Sequence, residues 1–237
     1  MKVIILDTET TGLDNPEPVE VAWIEVQKIK TLAVENTCNT LYRPSKPISF
    51  GAMAVHHITP DKLVDAPEFN GDFGANDADY ILGHNIDFDW KVIGSPPIKR
   101  ICTLALSRYM FPDNMGHTLG AMLYRMASDA EYMAHIGQTS DFESLKERLI
   151  NAHSAYYDCV FTKDLLAYLL YKTTETIVDW EDLYQFSEFA RIPEVMPFGK
   201  HRGVKIGDLP NDYCAWVLRQ DDMDIYAKKA IERRFKK

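Results

Sequence analysis

The chain opens on an apolar run, Val3-Ile4-Ile5-Leu6, that ends at once in Asp7-Thr8-Glu9-Thr10-Thr11-Gly12. Whatever the chain folds into must therefore finish an apolar strand on two carboxylates. Side chains alternate along a strand with period two, so Asp7 and Glu9 point to the same side, a few ångströms apart. Two like charges beside an apolar strand are costly unless a cation sits between them. Asp and Glu oxygens are the ligands that hard divalent cations such as Mg2+ and Mn2+ prefer. The same residues also fit a solvated acidic turn, and the pair alone leaves both readings open.

The turn cluster Asp14-Asn15-Pro16-Glu17-Pro18 follows, then residues 19–26 read as a second strand and 38–42 as a third, stopped by Arg43-Pro44. Connections this short favour an antiparallel meander. Thr59 and Pro60 start a helix, and residues 80–83 form a short buried strand that delivers His84 and Asn85. Helical patterns then dominate at 103–110, 117–126, 142–150 and 155–171. In the last, Phe161, Leu165, Leu166, Leu169 and Leu170 make an apolar stripe. Strands first, then strand and helices in alternation, imply an α/β or α+β sandwich with a mixed sheet. Residues 1–172 form the expected main domain. A polar, β-branched stretch and a short helix fill a linker at 173–195, and 196–237 form a basic C-terminal region.

At 237 residues and 46% hydrophobic content, the chain can bury one good core and carry a small appendage. Cys38, Cys102, Cys159 and Cys214 have no zinc-like or paired spacing, which fits a reducing cytoplasm. No apolar run reaches the length of a signal peptide or a bilayer span, so no membrane partner is expected. The net charge of -9 argues at first against a nucleic-acid partner. Its distribution argues otherwise: residues 198–237 hold ten Lys/Arg and six Asp/Glu, against 16 and 29 before them. Gly199 and Gly203 bracket Lys200-His201-Arg202, which reads either as a turn offering cations to phosphate or as a solvated hairpin. In residues 224–235, Ile225, Ile231 and Phe235 can line one apolar helix face.

Further acids stand in His84-Asn85-Ile86-Asp87-Phe88-Asp89 and in His153-Ser154-Ala155-Tyr156-Tyr157-Asp158. Alone, the first reads as a capping Asn with a surface Asp and the second as an interface histidine. Asp158 nevertheless lies just inside a helix whose apolar stripe begins at Phe161, so it can face the sheet. In this order and spacing, DTETTGL, HNIDFD and HSAYYD resemble the three motifs of the proofreading-type 3'-to-5' exonucleases, the DEDD family. His153, five residues before Asp158, resembles the family's histidine type.

The resemblance implies a ribonuclease H-like α/β fold, a mixed five-stranded sheet flanked by helices. It implies that Asp7, Glu9, Asp89 and Asp158 hold two Mg2+ or Mn2+ ions, with Asp87 outside the set, and that His153 is the general base. Imidazole ordinarily titrates near neutrality, which suits it to take a proton from water. Thr10, Thr11 and Gly12, with His84 and Asn85, become candidate contacts to the terminal nucleotide. The partners implied are DNA 3' ends, single-stranded or duplex, in repair or proofreading; RNA trimming is the alternative, and a non-catalytic nucleic-acid-binding module a further one. Residues 52–59 also resemble the family, except that His57 stands where it usually has Gly. Phe198-Gly199-Lys200-His201-Arg202-Gly203, with Asp212-Tyr213-Cys214-Ala215-Trp216, resembles the C-terminal region of a bacterial branch.

Overall fold

Val3–Thr10 (β1), Pro18–Val26 (β2) and Val34–Leu41 (β3) form the antiparallel meander that their short connections favour. In this computed structural model, which describes residues 1–139 and 141–236, Tyr80–Gly83 (β4) and Lys99–Cys102 (β5) then join in parallel. The sheet order is β3-β2-β1-β4-β5, a mixed five-stranded α/β sheet flanked by helices, as the resemblance implies. β1 is central, and Val3 to Leu6 are at most 1% exposed. β3 begins four residues earlier than expected, and its outer position explains why polar residues are tolerated there.

The helices are Phe50–His56 (α1), Asp87–Val92 (α2), Thr103–Met110 (α3), Leu119–Ser128 (α4), Ala130–His135 (α5), Phe142–Leu149 (α6), Ala155–Lys172 (α7), Trp180–Ala190 (α8), Asn211–Arg219 (α9) and Ile225–Phe235 (α10). Period-two alternation splits the sheet residues between two layers. Ile5, Ile24, Leu82 and Ile101 pack with Leu106, Leu123, Phe161, Leu165 and Trp180 from α3, α4, α7 and α8. Ile4, Leu6, Trp23 and Ile81 face Phe73, Ile86, Ile93 and Ile98. Caps set the helix starts: the Thr118 hydroxyl accepts from the Ala121 N–H, which moves α4 two residues past its expected start. Residues 60–63 form one 3-10 turn, not an α-helix.

α8 is built into the body. Trp180 is among the largest fully buried side chains, and the Ser187 hydroxyl accepts from the Cys102 N–H at 2.8 Å. Beyond it, Met196, Ile206, Leu209, Cys214, Val217 and Ile231 make a separate small core. The apolar face of α10 differs from expectation. Tyr226, Ala227, Ala230 and Ile231 are buried, whereas Ile225 and Phe235 are 51% and 54% exposed. Asp224 fixes this rotation by accepting from the Tyr226 and Ala227 N–H groups, and the two alanines let the helix approach closely. Among the described residues, no helix is long and apolar enough to cross a membrane.

Candidate active site

β1 ends beside the N-terminus of α7. Asp7 and Glu9 share one face of β1, as the period requires, and α7 brings Asp158 against them. One carboxylate oxygen from each of the three lies within 4.8 Å of the others. Each side chain is half-buried, so the cluster opens to solvent on one side. Asp89, 5% exposed on α2, sits behind β1 and accepts from both the N–H and the hydroxyl of Thr8, at 3.0 and 2.7 Å. Asp87, two residues earlier on α2, turns the other way to pair with Arg100 and Arg191.

Gathering acids in a partly dry cleft raises their proton affinity. Burial first, then the neighbouring carboxylates of Asp89, Asp158, Glu9 and Glu20, hold Asp7 well above the usual carboxylate range. Glu9 is pushed up to about 9 by burial and by Asp158, Glu20 and Asp89. Burial raises Asp89 to about 7 against the Thr8 hydrogen bonds, and raises Asp158 to about 6 against the pull of His153. An all-carboxylate donor set that holds its protons this tightly fits a hard divalent cation, which would replace those protons.

His153 is exposed and stands just before α7, with left-handed backbone (φ 65°). Its N–H donates to Asp158 Oδ2 at 3.3 Å, so the imidazole is carried beside the cluster without being packed into it. Thr10 and Thr11 are buried, and the strand gives way to a fixed turn. The Thr10 hydroxyl donates to the Gly12 carbonyl at 2.9 Å, and the Thr11 N–H to the Glu17 carbonyl at 2.9 Å. Gly12 has φ 147°, and a Cβ there would stand 3.2 Å from the Ser49 hydroxyl. Asn85 is exposed with φ 78°, at the C-terminal end of β4. His84 faces inward: Nδ1 meets the Thr103 hydroxyl at 3.0 Å and Nε2 the His117 carbonyl at 2.7 Å, so protein partners already hold both ring nitrogens. Burial lowers this imidazole to about 4.

Three functional neighbours escaped the sequence reading. Glu20, 6% exposed on β2 and opposite Glu9 in register, accepts from the Ala155 N–H at 2.9 Å. It thereby caps α7, whose Ser154 provides no side-chain cap. Thr8 supplies both hydrogen bonds to Asp89. His56 is buried, receives the Ile58 N–H on Nδ1 and meets the Thr10 carbonyl at 3.2 Å with Nε2. The unusual His57 ends α1 with φ 56°, a backbone conformation that a glycine adopts at lower cost. The first stands mid-strand between apolar residues, Val19-Glu20-Val21, a pattern that Glu25 shares on the same strand.

Comparison with known proteins places this geometry in a wider set. A family model described as an exonuclease, of RNase T type, matches residues 4–166. A second, for a proposed quorum-sensing-regulated virulence factor, matches residues 186–222. Exodeoxyribonuclease 10 of Escherichia coli K12 is 28% identical, over 92% of this chain and 91% of that protein. The DNA polymerase III epsilon subunit of Pasteurella multocida is 30% identical over 59% of this chain and 70% of its own length. Among solved structures, exonuclease X in complex with 5' overhanging duplex DNA superposes with a TM-score of 0.57 at 28% identity, covering 77% of this chain and 99% of that one. Escherichia coli exonuclease I with a dA16 oligonucleotide shares the fold at a TM-score of 0.53 and 16% identity, over 81% of this chain and 44% of that one.

Proposed function

We propose that this chain, which belongs to the exonuclease family matched over residues 4–166, removes nucleotides from the 3' end of DNA as nucleoside 5'-monophosphates, in repair or proofreading. The observation that carries the reading is the convergence of Asp7, Glu9 and Asp158 oxygens within 4.8 Å at the end of the central strand. Asp7, Glu9 and Asp158, backed by Asp89, are the residues that would hold two Mg2+ or Mn2+ ions. When bound, such ions acidify water and neutralise charge on a phosphodiester. His153 takes the proton as the water oxygen attacks phosphorus. The bond to the 3' oxygen of the penultimate nucleotide breaks and that oxygen takes a proton from solvent, leaving the strand with a 3' hydroxyl. The exposed position of His153 beside Asp158 suits a base that must reach water and release its proton.

The turn at Thr10 to Gly12 would offer backbone to the terminal nucleotide, and Asn85, exposed just past the parallel strand β4, would be a further contact. The likeness to exodeoxyribonuclease 10 over nearly the whole chain supports DNA as the substrate. We read residues 1–172 as the exonuclease domain, 173–195 as a connection whose helix α8 packs into that domain, and 196–237 as an accessory region.

Degradation of end-labelled single-stranded DNA, duplex DNA and matched RNA in Mg2+ tests this reading. Mononucleotides should leave the 3' end of DNA fastest, and Asp7→Ala should abolish their release. Full activity in Asp7→Ala, or faster release from RNA, refutes the assignment or its substrate.

A further inference from the structure

A groove of about 740 Å³ leads from Asn85, just past the C-terminal end of β4, to Phe198 in the C-terminal region. Arg108 and Tyr109 of α3 line its course, and both are exposed; Tyr109 is braced edge-on against Phe186 and Phe189. Phe198 also borders a second hollow of about 440 Å³, whose walls are Lys200, Tyr213, Trp216 and Met223, with Asp212 at its rim. The two hollows therefore meet at one side chain.

The second hollow is shaped by aromatic rings. Tyr213 and Trp216 lie one helical turn apart on α9, with ring centroids 5.7 Å apart and planes 28° from parallel. His201 packs 4.4 Å from the Tyr213 ring, and the Lys200 ammonium stands 5.6 Å from it. Tyr213 is buried and forms the floor, whereas Trp216 is 42% exposed. Gly199 takes φ 67° and passes close to the Tyr213 hydroxyl, where a Cβ would come within 3.3 Å. The glycines flanking Lys200-His201-Arg202 thus fold that segment around the hollow's lip.

We propose that this aromatic hollow holds a base of the substrate strand upstream of its 3' end, the single-stranded stretch between running along the groove past Arg108 and Tyr109. Three observations select a nucleic-acid strand as the occupant. The groove begins at Asn85, just past β4, which runs parallel to the strand carrying Asp7 and Glu9. Arg108 and Lys200 are the exposed cations of the two hollows, beside the acids Glu194 and Asp212, while the lining acids Asp87 and Asp224 are already held by Arg100, Arg191 and the Tyr226 and Ala227 N–H groups. A flat aromatic face beside a lone ammonium is the pairing that binds a base and its phosphate without regard to sequence. The proposal deepens the exonuclease reading and rests on it for the identity of the strand.

The test uses the full chain in chelator, so that binding is read without turnover, with fluorescein-labelled oligothymidylates of increasing length and anisotropy as the signal. Wild-type affinity should step up once a strand is long enough to reach Trp216. Trp216→Ala should lose that step, weakening long strands about five- to 150-fold, and leave the shortest strands unchanged. Trp216→Phe, which keeps a stacking face, should restore most of it. Lys200→Ala should lower the salt dependence by about one counterion. Equal binding of every length by wild type and Trp216→Ala overturns the proposal. A wild type that shows the step yet releases no nucleotide in Mg2+ supports the groove and refutes only the catalytic reading.

Discussion

Asp89 links the stability of the fold to pH. Its carboxyl is 5% exposed and pushed from 3.8 to about 7, burial being the largest cause. A carboxyl raised in the folded state binds its proton more tightly there than when unfolded. The stability it contributes is therefore full below pH 3.8 and is lost as pH climbs through about 7. Moving the carboxyl from 3.8 to about 7 corresponds to about 4 kcal/mol, a large part of a typical folding free energy. For a chain of this size that is a fall in Tm of about 8–16 °C. Glu9 and Asp158, also raised, add to the fall up to about pH 9 and pH 6.

Asp89→Asn isolates the effect, because both Thr8 hydrogen bonds end on Oδ1 and the amide oxygen can still accept them. Thermal melts in chelator between about pH 4 and about pH 8 should show wild type losing stability and Asp89→Asn losing about 4 kcal/mol less. Mg2+ should raise the wild-type Tm most at the alkaline end, where the acids are ionised and ready to bind it. Parallel curves for wild type and Asp89→Asn in chelator refute the reasoning.

Asp7→Ala should trade function for stability: its Tm in chelator at alkaline pH should exceed that of wild type, since Asp89, Asp158, Glu9 and Glu20 all repel this carboxylate. Its mononucleotide release should fall to background. His153→Asn, which suits the left-handed backbone at that position, should leave Tm and its response to Mg2+ unchanged while lowering kcat about 10²- to 10⁴-fold. Glu20→Gln retains an acceptor for the Ala155 N–H and removes a charge opposite Glu9, so it should melt higher than wild type in chelator. Glu20→Ala leaves that N–H without its partner and should be about 1–3 kcal/mol less stable than Glu20→Gln by urea unfolding.

The central strand and the long helix were legible because their patterns are local. Four apolar residues before Asp7, and the stripe from Phe161 to Leu170, state their period within a few positions. Glu20 was not legible for a corresponding reason. β2 carries two glutamates, and half-buried Glu25 accepts from the Asn36 side chain of β3 while Glu20 is buried under α7. Nothing local distinguishes them; only the packing of a helix more than a hundred residues away does. β5 was missed because Lys99 and Arg100 open a strand of four residues, too short for alternation to appear. His84 read as a candidate contact to the terminal nucleotide beside Asn85, and its inward turn depends on the distant Thr103 and His117.

α2 is six residues long and has an acid on each side. Asp89 braces β1 through Thr8, and Asp87 holds Arg191, whose guanidinium also lies 5.2 Å from the Tyr226 ring of α10. That single helical turn and a half is a party wall shared by two rooms. A tilt that loosens Asp87 from Arg191 must shift Asp89 against the end of the central strand. The C-terminal region thus has a mechanical purchase on the cluster of acids, and trimming it back to α8 would be felt first in how firmly Asp89 is seated.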